Sequence, residues 1–482
     1  MTTLSDDTDS NDTEAASAAN RSRIVAFVVA VSFFMQMLDG TIVITSLPQM
    51  GLDFGVPAVS MSIALTVYML TMAAFIPLSG WLGDRFGARN IFMAAIAIFT
   101  LASLFCGLSE SLGQFIAARA IQGFGAALMN PIGRVIVLKN APKSELVNAV
   151  ALITWPALIA PVIGPVLGSF ITTYFSWQWN FFVNIPIGIL GLILVWMFVP
   201  DQRDDSAGKL DIPGFLLSAL GLTLLLAGLE AFTHGSAALP LIGLLLAGGV
   251  VFGVVATWHF QRVANPLLDL SPFRIQTFAL STLSAGTAIR LSINAMPFLI
   301  PLSLQVGFGL DAIATGTYLL VYFAGNLAMK SVTTRLLRRY GFRTVLVANG
   351  VLACGSIAAC AALSPDTPEA ITLILFFFAG LTRSMQFTAL NTIGFADITP
   401  AQRSSASTLS SMLQQISMLL GVAVAAAVLN ISQTARGAQG MSITDFRWAF
   451  LVIGLLGVVA SLRFLSLPRD AGSEVSGHRA RN

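Results

Sequence analysis

The sequence is short of charge. Only 10% of its 482 residues are Asp, Glu, Lys or Arg, where a water-soluble domain carries about 25%. Hydrophobic residues make up 56%. Such a chain has too little polar surface to clothe a soluble core. The bilayer accepts it, so the fold class is an all-α polytopic membrane protein. Cysteine is scarce too: Cys106, Cys354 and Cys360 sit in apolar runs. Their spacing fits neither a metal site nor a disulfide framework, and they read as small buried hydrophobes. A net charge of +3 is too small to argue for nucleic acid. No Walker-type phosphate loop occurs, which argues against ATP as direct fuel. No triad or metal cluster supports an enzyme. No cofactor is expected.

What is present is a series of apolar runs. A membrane helix needs about twenty such residues. Spans are expected near 24–47, 57–79, 91–109, 112–137, 146–172, 180–199, 213–232, 238–258, 276–304, 313–331, 343–364, 370–393, 405–430 and 446–466, fourteen in all. Residues 1–22 are acidic and poor in large apolar side chains, which predicts a disordered tail. They lack the basic start of a signal peptide. Residues 468–482 form a second tail.

The basic residues sort the loops. Of 26 Lys and Arg, twenty fall in the tails and alternate loops, including Arg85, Arg89, Lys139, Arg262 and the run from Lys330 to Arg343. Only Arg436 and Arg447 fall in the opposite set, with Asp53, Glu110, Asp311, Asp366 and Glu369. The positive-inside rule then places both termini in the cytoplasm and requires an even number of spans.

One cytoplasmic turn is dense in Gly and charge. "SGWLGDRFGARNIF", Ser79 to Phe92, lies between spans two and three. Gly80, Gly83 and Gly87 permit close approach and a tight bend. Asp84 can cap or pair at a helix end, and Arg85 and Arg89 hold the turn at the membrane surface. A weaker echo, "TRLLRRYGFRTVL", runs from Thr334 to Leu346, with Arg339, Gly341 and Arg343 in matching places and Arg338 where the Asp stood. Two similar turns predict two related bundles. The expected organisation is a six-helix bundle at 23–200, a linker with an extra hairpin at 201–275, and a second bundle at 276–467.

These residues resemble the major facilitator superfamily. "GWLGDRFGARN" is similar to its signature loop. "LDGTIVITSLP" (Leu38 to Pro48), "RAIQGFGAA" (Arg119 to Ala127), "GPVLGS" (Gly164 to Ser169) and "WQWNFFVNIPIG" (Trp177 to Gly188) resemble motifs of its fourteen-span drug:proton antiporters. The stretch from Arg89 to Lys139 looks like MdtD- or EmrB-like multidrug efflux transporters. Ile44 stands where the first-span motif has Asn, Ser169 replaces a second glycine, and Gln178 replaces an Arg. The resemblance implies two six-helix bundles plus a hairpin, residence in the cell (inner) membrane, and export of small organic compounds against inward proton flow by alternating access. The implied partners are a small-molecule substrate, protons and lipid, with the chain monomeric. An exporter of organic anions or metal-chelate anions is the alternative. A transport-dead sensor or scaffold is a remote one.

Ionisable residues inside hydrocarbon are costly and therefore informative. Asp39 shares a face of span one with Ser32 and Gln36. Burial favours the neutral form of a carboxyl, so this group suits proton coupling; the alternative is a structural hydrogen bond to a neighbouring helix. Arg119 lies in span four, with Gln122, Asn130 and Arg134 on its side of the wheel. The resemblance implies that Arg119 takes part in coupling with Asp39. Arg290 with Asn294 in span nine, Arg383 with Gln386 in span twelve, and Gln414 in span thirteen make the second half polar and net positive. Gln36, Gln122 and Asn130 join these as candidate substrate contacts. No acid lies near the middle of spans nine to thirteen. A substrate anion and structural pairing with backbone carbonyls are the two ways to satisfy those arginines. In span five, Gly164, Pro165 and Gly168 mark a bend with a small-residue face, expected to act as a hinge or seal.

Overall fold

The computed structural model describes residues 6–478, apart from 57–60, 155, 202–207, 235–236 and 438–439. All regular structure among the described residues is helical. The chain forms two compact units, Met1–Leu210 and Asp211–Asn482.

The first unit contains α1 (Asp6–Ile42), α2 (Leu47–Asp53), α3 (Ser62–Phe75), α4 (Ser79–Phe86), α5 (Ala88–Gly107), α6 (Leu112–Asn140), α7 (Leu146–Thr154), α8 (Pro156–Tyr174), α9 (Trp179–Phe182) and α10 (Asn184–Phe198). Helix α1 begins at Asp6, not at the apolar boundary near residue 24, so the described part of the expected unfolded tail is helical. The Ser111 hydroxyl accepts from the Gln114 N–H and starts α6. Gly87, at φ 87°, ends α4 in a conformation that L side chains rarely adopt.

The second unit contains α11 (Ile212–His234), α12 (Leu239–Phe260), α13 (Gln276–Phe278), α14 (Ala285–Leu302), α15 (Ala312–Met329), α16 (Thr333–Ala359), α17 (Glu369–Ala396), α18 (Arg403–Ala435), α19 (Ile443–Leu462) and the short α20 (Ser473–Ser476). A π-helical turn, Ala279–Leu283, precedes α14. Helices α11 and α12 pair as a hairpin, and α11 packs on α18. Asp211 fastens the base of that hairpin. Its carboxylate accepts from the Gly214 N–H (2.9 Å) and the Leu267 N–H (3.2 Å) and meets His259 Nε2 at 2.9 Å. Burial pushes this carboxyl towards its neutral form, but His259 and the two backbone donors outweigh burial and hold it below the usual Asp range.

The units repeat one packing plan. In the first, α1 packs on α8 and α10, α3 on α6, and α5 on α6 and α10. In the second, α14 packs on α18 and α19, α15 on α17, and α16 on α17 and α19. With the hairpin α11–α12 set aside, each unit has six long helices, and these are the same pairs.

Twelve helices among the described residues are long and apolar enough to cross a bilayer, which leaves the expected count of fourteen unconfirmed. The fifth expected span comprises α7 and α8, which lie on either side of residue 155, outside the described residues. The tenth expected span holds the 18-residue α15. Helix α12 is apolar all round, with Leu244 and Val254 exposed, a surface suited to lipid.

Candidate functional site

The polar centre of the first unit is built by four helices. Asp39 comes from α1, Ser103 from α5, Arg119 and Gln122 from α6, and Asn184 from α10. Asp39, Arg119 and Gln122 are fully buried, at 0% exposure. Arg119 Nη1 donates to Asp39 Oδ2 at 2.7 Å and to Gln122 Oε1 at 2.5 Å. Asp39 Oδ1 accepts from Gln122 Nε2 (2.9 Å) and from Asn184 Nδ2 (2.8 Å). Ser103 Oγ accepts from the same two amides. The Arg119 guanidinium also lies 4.3 Å from the Tyr68 ring centroid and 6.0 Å from that of Phe181. Its Nε and Nη2 are buried with no hydrogen-bond partner.

An apolar wall flanks this cluster. Phe181 belongs to a buried group with Phe115, Cys106 and Trp177, and the Trp177 indole N–H donates to Asp53 (2.6 Å). The ion pair is therefore dry on that side, where opposite charges attract strongly and a lone charge is costly. Sequence reasoning named Asp39, Arg119 and Gln122, and the fold brings all three together. It missed Asn184, Ser103 and Tyr68. Asn184 lies inside the Trp177 to Gly188 motif and could have been tested; Ser103 and Tyr68 carry no signal of their own.

Other expected residues stand apart. Gln36 is buried, but its amide donates to the Ala126 carbonyl (3.4 Å) and points at Met72 Sδ (3.6 Å), not at Asp39. Asn130 and Arg134 are half-buried on α6. Gly164 is where α8 meets α1: a Cβ there would come within 2.1 Å of Thr41 Oγ1. Gly168 is buried beside it in sequence, and Pro165 is exposed.

The turn after α4 is tied down by Arg89, whose Nη2 donates to the Trp196 carbonyl near the end of α10 (2.6 Å). Trp81 Nε1 donates to the Gly208 carbonyl (3.0 Å). Gly80 is buried, Asp84 half-buried and Arg85 exposed. Gly83 departs from expectation. A Cβ there would meet only Ile132, at an ordinary 3.8 Å, so close approach does not require that glycine. The echo in the second unit has the same construction. Gly341 has φ 72°, and Arg343 Nη2 donates to the Leu465 carbonyl just past α19 (2.9 Å).

The family model described as Major Facilitator Superfamily matches residues 29–393 and 278–481. The chain belongs to that superfamily. A protein of Citrobacter koseri named multidrug resistance protein MdtD is 35% identical over 448 residues, covering 92% of this chain and 94% of its own. Its namesake from Escherichia coli O6:H1 is 36% identical over 454 residues, covering 93% and 96%. Among solved structures, the human organic anion transporter MFSD10 superposes with TM-score 0.66 at 15% identity, covering 92% of this chain and 99% of its own. The proton:xylose symporter XylE superposes with TM-score 0.63 at 14% identity, covering 96% and 98%. These structural likenesses speak to the fold alone. This facilitator is thus a multi-pass membrane transporter of small molecules, and not an enzyme.

In the facilitator's second unit the expected residues divide. Arg290, 2% exposed, donates from Nη1 to the Ser281 carbonyl (2.6 Å) and from Nη2 to Asn391 Oδ1 (3.1 Å). That carbonyl lies in the π-helical turn before α14. Gln386 is fully buried. It accepts from Asn349 Nδ2 (3.0 Å) and donates to the Leu346 carbonyl (3.1 Å), bonds that account for it without a substrate. Asn294 and Gln414 are half-buried on α14 and α18. Arg383, half-buried at the middle of α17, makes no hydrogen bond or ion pair among the described residues, and its Nε and Nη1 are buried.

Proposed function

We propose that this chain is a proton-coupled antiporter that exports small organic compounds, drugs among them, by alternating access. The observation that carries the reading is the fully buried Asp39–Arg119 pair at 2.7 Å. A proton on Asp39 would cancel the charge that Arg119 faces and leave the guanidinium with Gln122 Oε1 and the Tyr68 ring. The bonds that gather α1, α5, α6 and α10 around one carboxylate would weaken with it. A group whose protonation changes how four helices are held can bias one conformation of a transporter over another. The proton gradient is then the energy source, and no cofactor is needed.

The same reading takes the chain as a monomer in the cell membrane with fourteen spans and both termini cytoplasmic. The loop charges support it, since twenty of 26 Lys and Arg fall on one side of that arrangement. The relatives named for multidrug resistance support drugs as cargo. The test is uptake of a substrate panel into inside-out proteoliposomes under an imposed pH gradient. Wild type concentrates at least one compound, and Asp39→Asn exchanges that compound without concentrating it. Concentration by the variant under the same gradient contradicts the assignment.

A further inference from the structure

Asn326, on α15, is fully buried, and neither its amide oxygen nor its amide nitrogen has a hydrogen-bond partner. One turn before it on the same face stands Tyr322, also buried, with its hydroxyl equally without a partner. One turn after it stands Lys330, whose Nζ donates to Thr388 Oγ1 on α17 at 2.7 Å. Across from this face, Arg383 of α17 places its Cζ 5.8 Å from the Tyr322 ring centroid, and Arg383 and Lys330 lie within electrostatic reach of each other. Two like charges, a phenol and an amide thus share the α15–α17 interface.

Among the described residues nothing partners the Tyr322 hydroxyl, the Asn326 amide or Nε and Nη1 of Arg383. Natural interiors leave few buried polar atoms without partners, and two neighbouring cations repel unless an anion lies between them. The acids of α14 to α18 stand at helix ends: Asp311 precedes α15, Glu369 opens α17, and Asp397 follows it and accepts from Thr277. The first unit shows what is missing. There a buried arginine beside Tyr68 meets the carboxylate of Asp39. We infer that Arg383, Lys330, Tyr322 and Asn326 form the anion-binding part of the substrate site, and that the exported compound carries a carboxylate. The guanidinium fork matches the two oxygens of a carboxylate, the lysine adds charge, and the phenol and amide donate hydrogen bonds. This deepens the transporter reading and rests on it, but it concerns binding and not coupling.

The test uses the purified full-length protein in detergent, with no gradient, so it reads binding whether or not transport is proton-driven. The probes are 2-naphthoate and its neutral amide, which have nearly the same shape, titrated against intrinsic tryptophan fluorescence. Wild type is expected to bind the acid at least tenfold more tightly than the amide. Arg383→Gln should lose at least tenfold for the acid and change less than twofold for the amide. Arg383→Lys and Tyr322→Phe, which disturb packing less, should each lose an intermediate amount for the acid only. A wild-type protein that does not prefer the acid overturns the proposal. So does a set of variants that weaken both probes equally.

Discussion

Tyr68 in the first unit and Tyr322 in the second each lie nineteen residues ahead of a positive-φ glycine, Gly87 or Gly341. Each presses its backbone carbonyl against a glycine of the fourth long helix of its unit, Gly123 or Gly380. Arg89 and Arg343 then fasten the two turns to carbonyls at the far end of the sixth helix. The framework is one design used twice. The charges laid on it differ. In the first unit the arginine comes four residues before the glycine and finds a carboxylate. In the second it comes three residues after the glycine and, among the described residues, finds only the tyrosine ring. A repeated backbone therefore sets helix spacing, while single substitutions on it decide which half holds its own counter-ion and which half leaves a cation for something else.

The largest expected effect follows from that difference. Removing one partner of a buried ion pair strands the other, at about 3–5 kcal/mol. Arg119→Gln alone should therefore lower the melting temperature sharply in detergent, and Asp39→Asn/Arg119→Gln together should recover most of it. Arg383→Gln, which strands nothing, should melt at or above wild type. Equal destabilisation by both arginine variants would erase the distinction between the units.

Next in size are the two glycine contacts. A Cβ at Gly380 would stand 1.8 Å from the Tyr322 carbonyl oxygen, and one at Gly123 would stand 2.5 Å from that of Tyr68. Backbone cannot rotate away, so each pair of helices must separate. Gly123→Ala and Gly380→Ala should each cost about 1–3 kcal/mol, with Gly380→Ala the worse of the two by thermal melting.

The hairpin α11–α12 belongs to the second unit only. Its base depends on Asp211, whose carboxyl is held below the usual range, first against burial and then by His259 and two backbone donors. A carboxyl with a lowered value in the folded state stabilises above the ordinary Asp value, and that stability is lost as pH falls through the folded value. Asp211→Asn should thus cost about 1–2 kcal/mol at pH 7. The gap from wild type should close as melting curves are taken below about pH 4. A gap that does not change with pH would mean that the contact acts through shape and not charge.

The smallest effect concerns the turn. Gly83→Ala should change stability by no more than about 0.5 kcal/mol, since its Cβ meets Ile132 at 3.8 Å. Gly87→Ala, at φ 87°, should cost about 1–3 kcal/mol. Comparable losses for the two would show that the turn needs glycine for packing and not for backbone conformation.

Much of this was legible in the sequence because hydrocarbon imposes strict rules. Long apolar runs gave the helices, and the rarity of charge made Asp39, Arg119, Arg290 and Arg383 conspicuous. The pairing of Asp39 with Arg119 followed from family resemblance and was met by the fold. The fate of Arg290 was not legible, because its partner is the carbonyl of Ser281, in a π-turn that no side chain announces. Gln386 was misleading for a related reason: helical spacing placed it with Arg383, yet its amide turns to Asn349 and the Leu346 carbonyl on α16. Ser103 becomes a functional candidate only when distant helices bring it to the amides that hold Asp39.

The central claim is that Asp39, held by Arg119, carries the coupled proton. Its most direct test is proton movement driven by a substrate gradient across proteoliposomes, read with a pH indicator trapped in the lumen. Wild type should move protons against the direction of substrate flow, and the Asp39→Asn/Arg119→Gln protein, though folded and able to exchange substrate, should move none. Undiminished proton movement by that double variant would place the proton elsewhere and contradict the account.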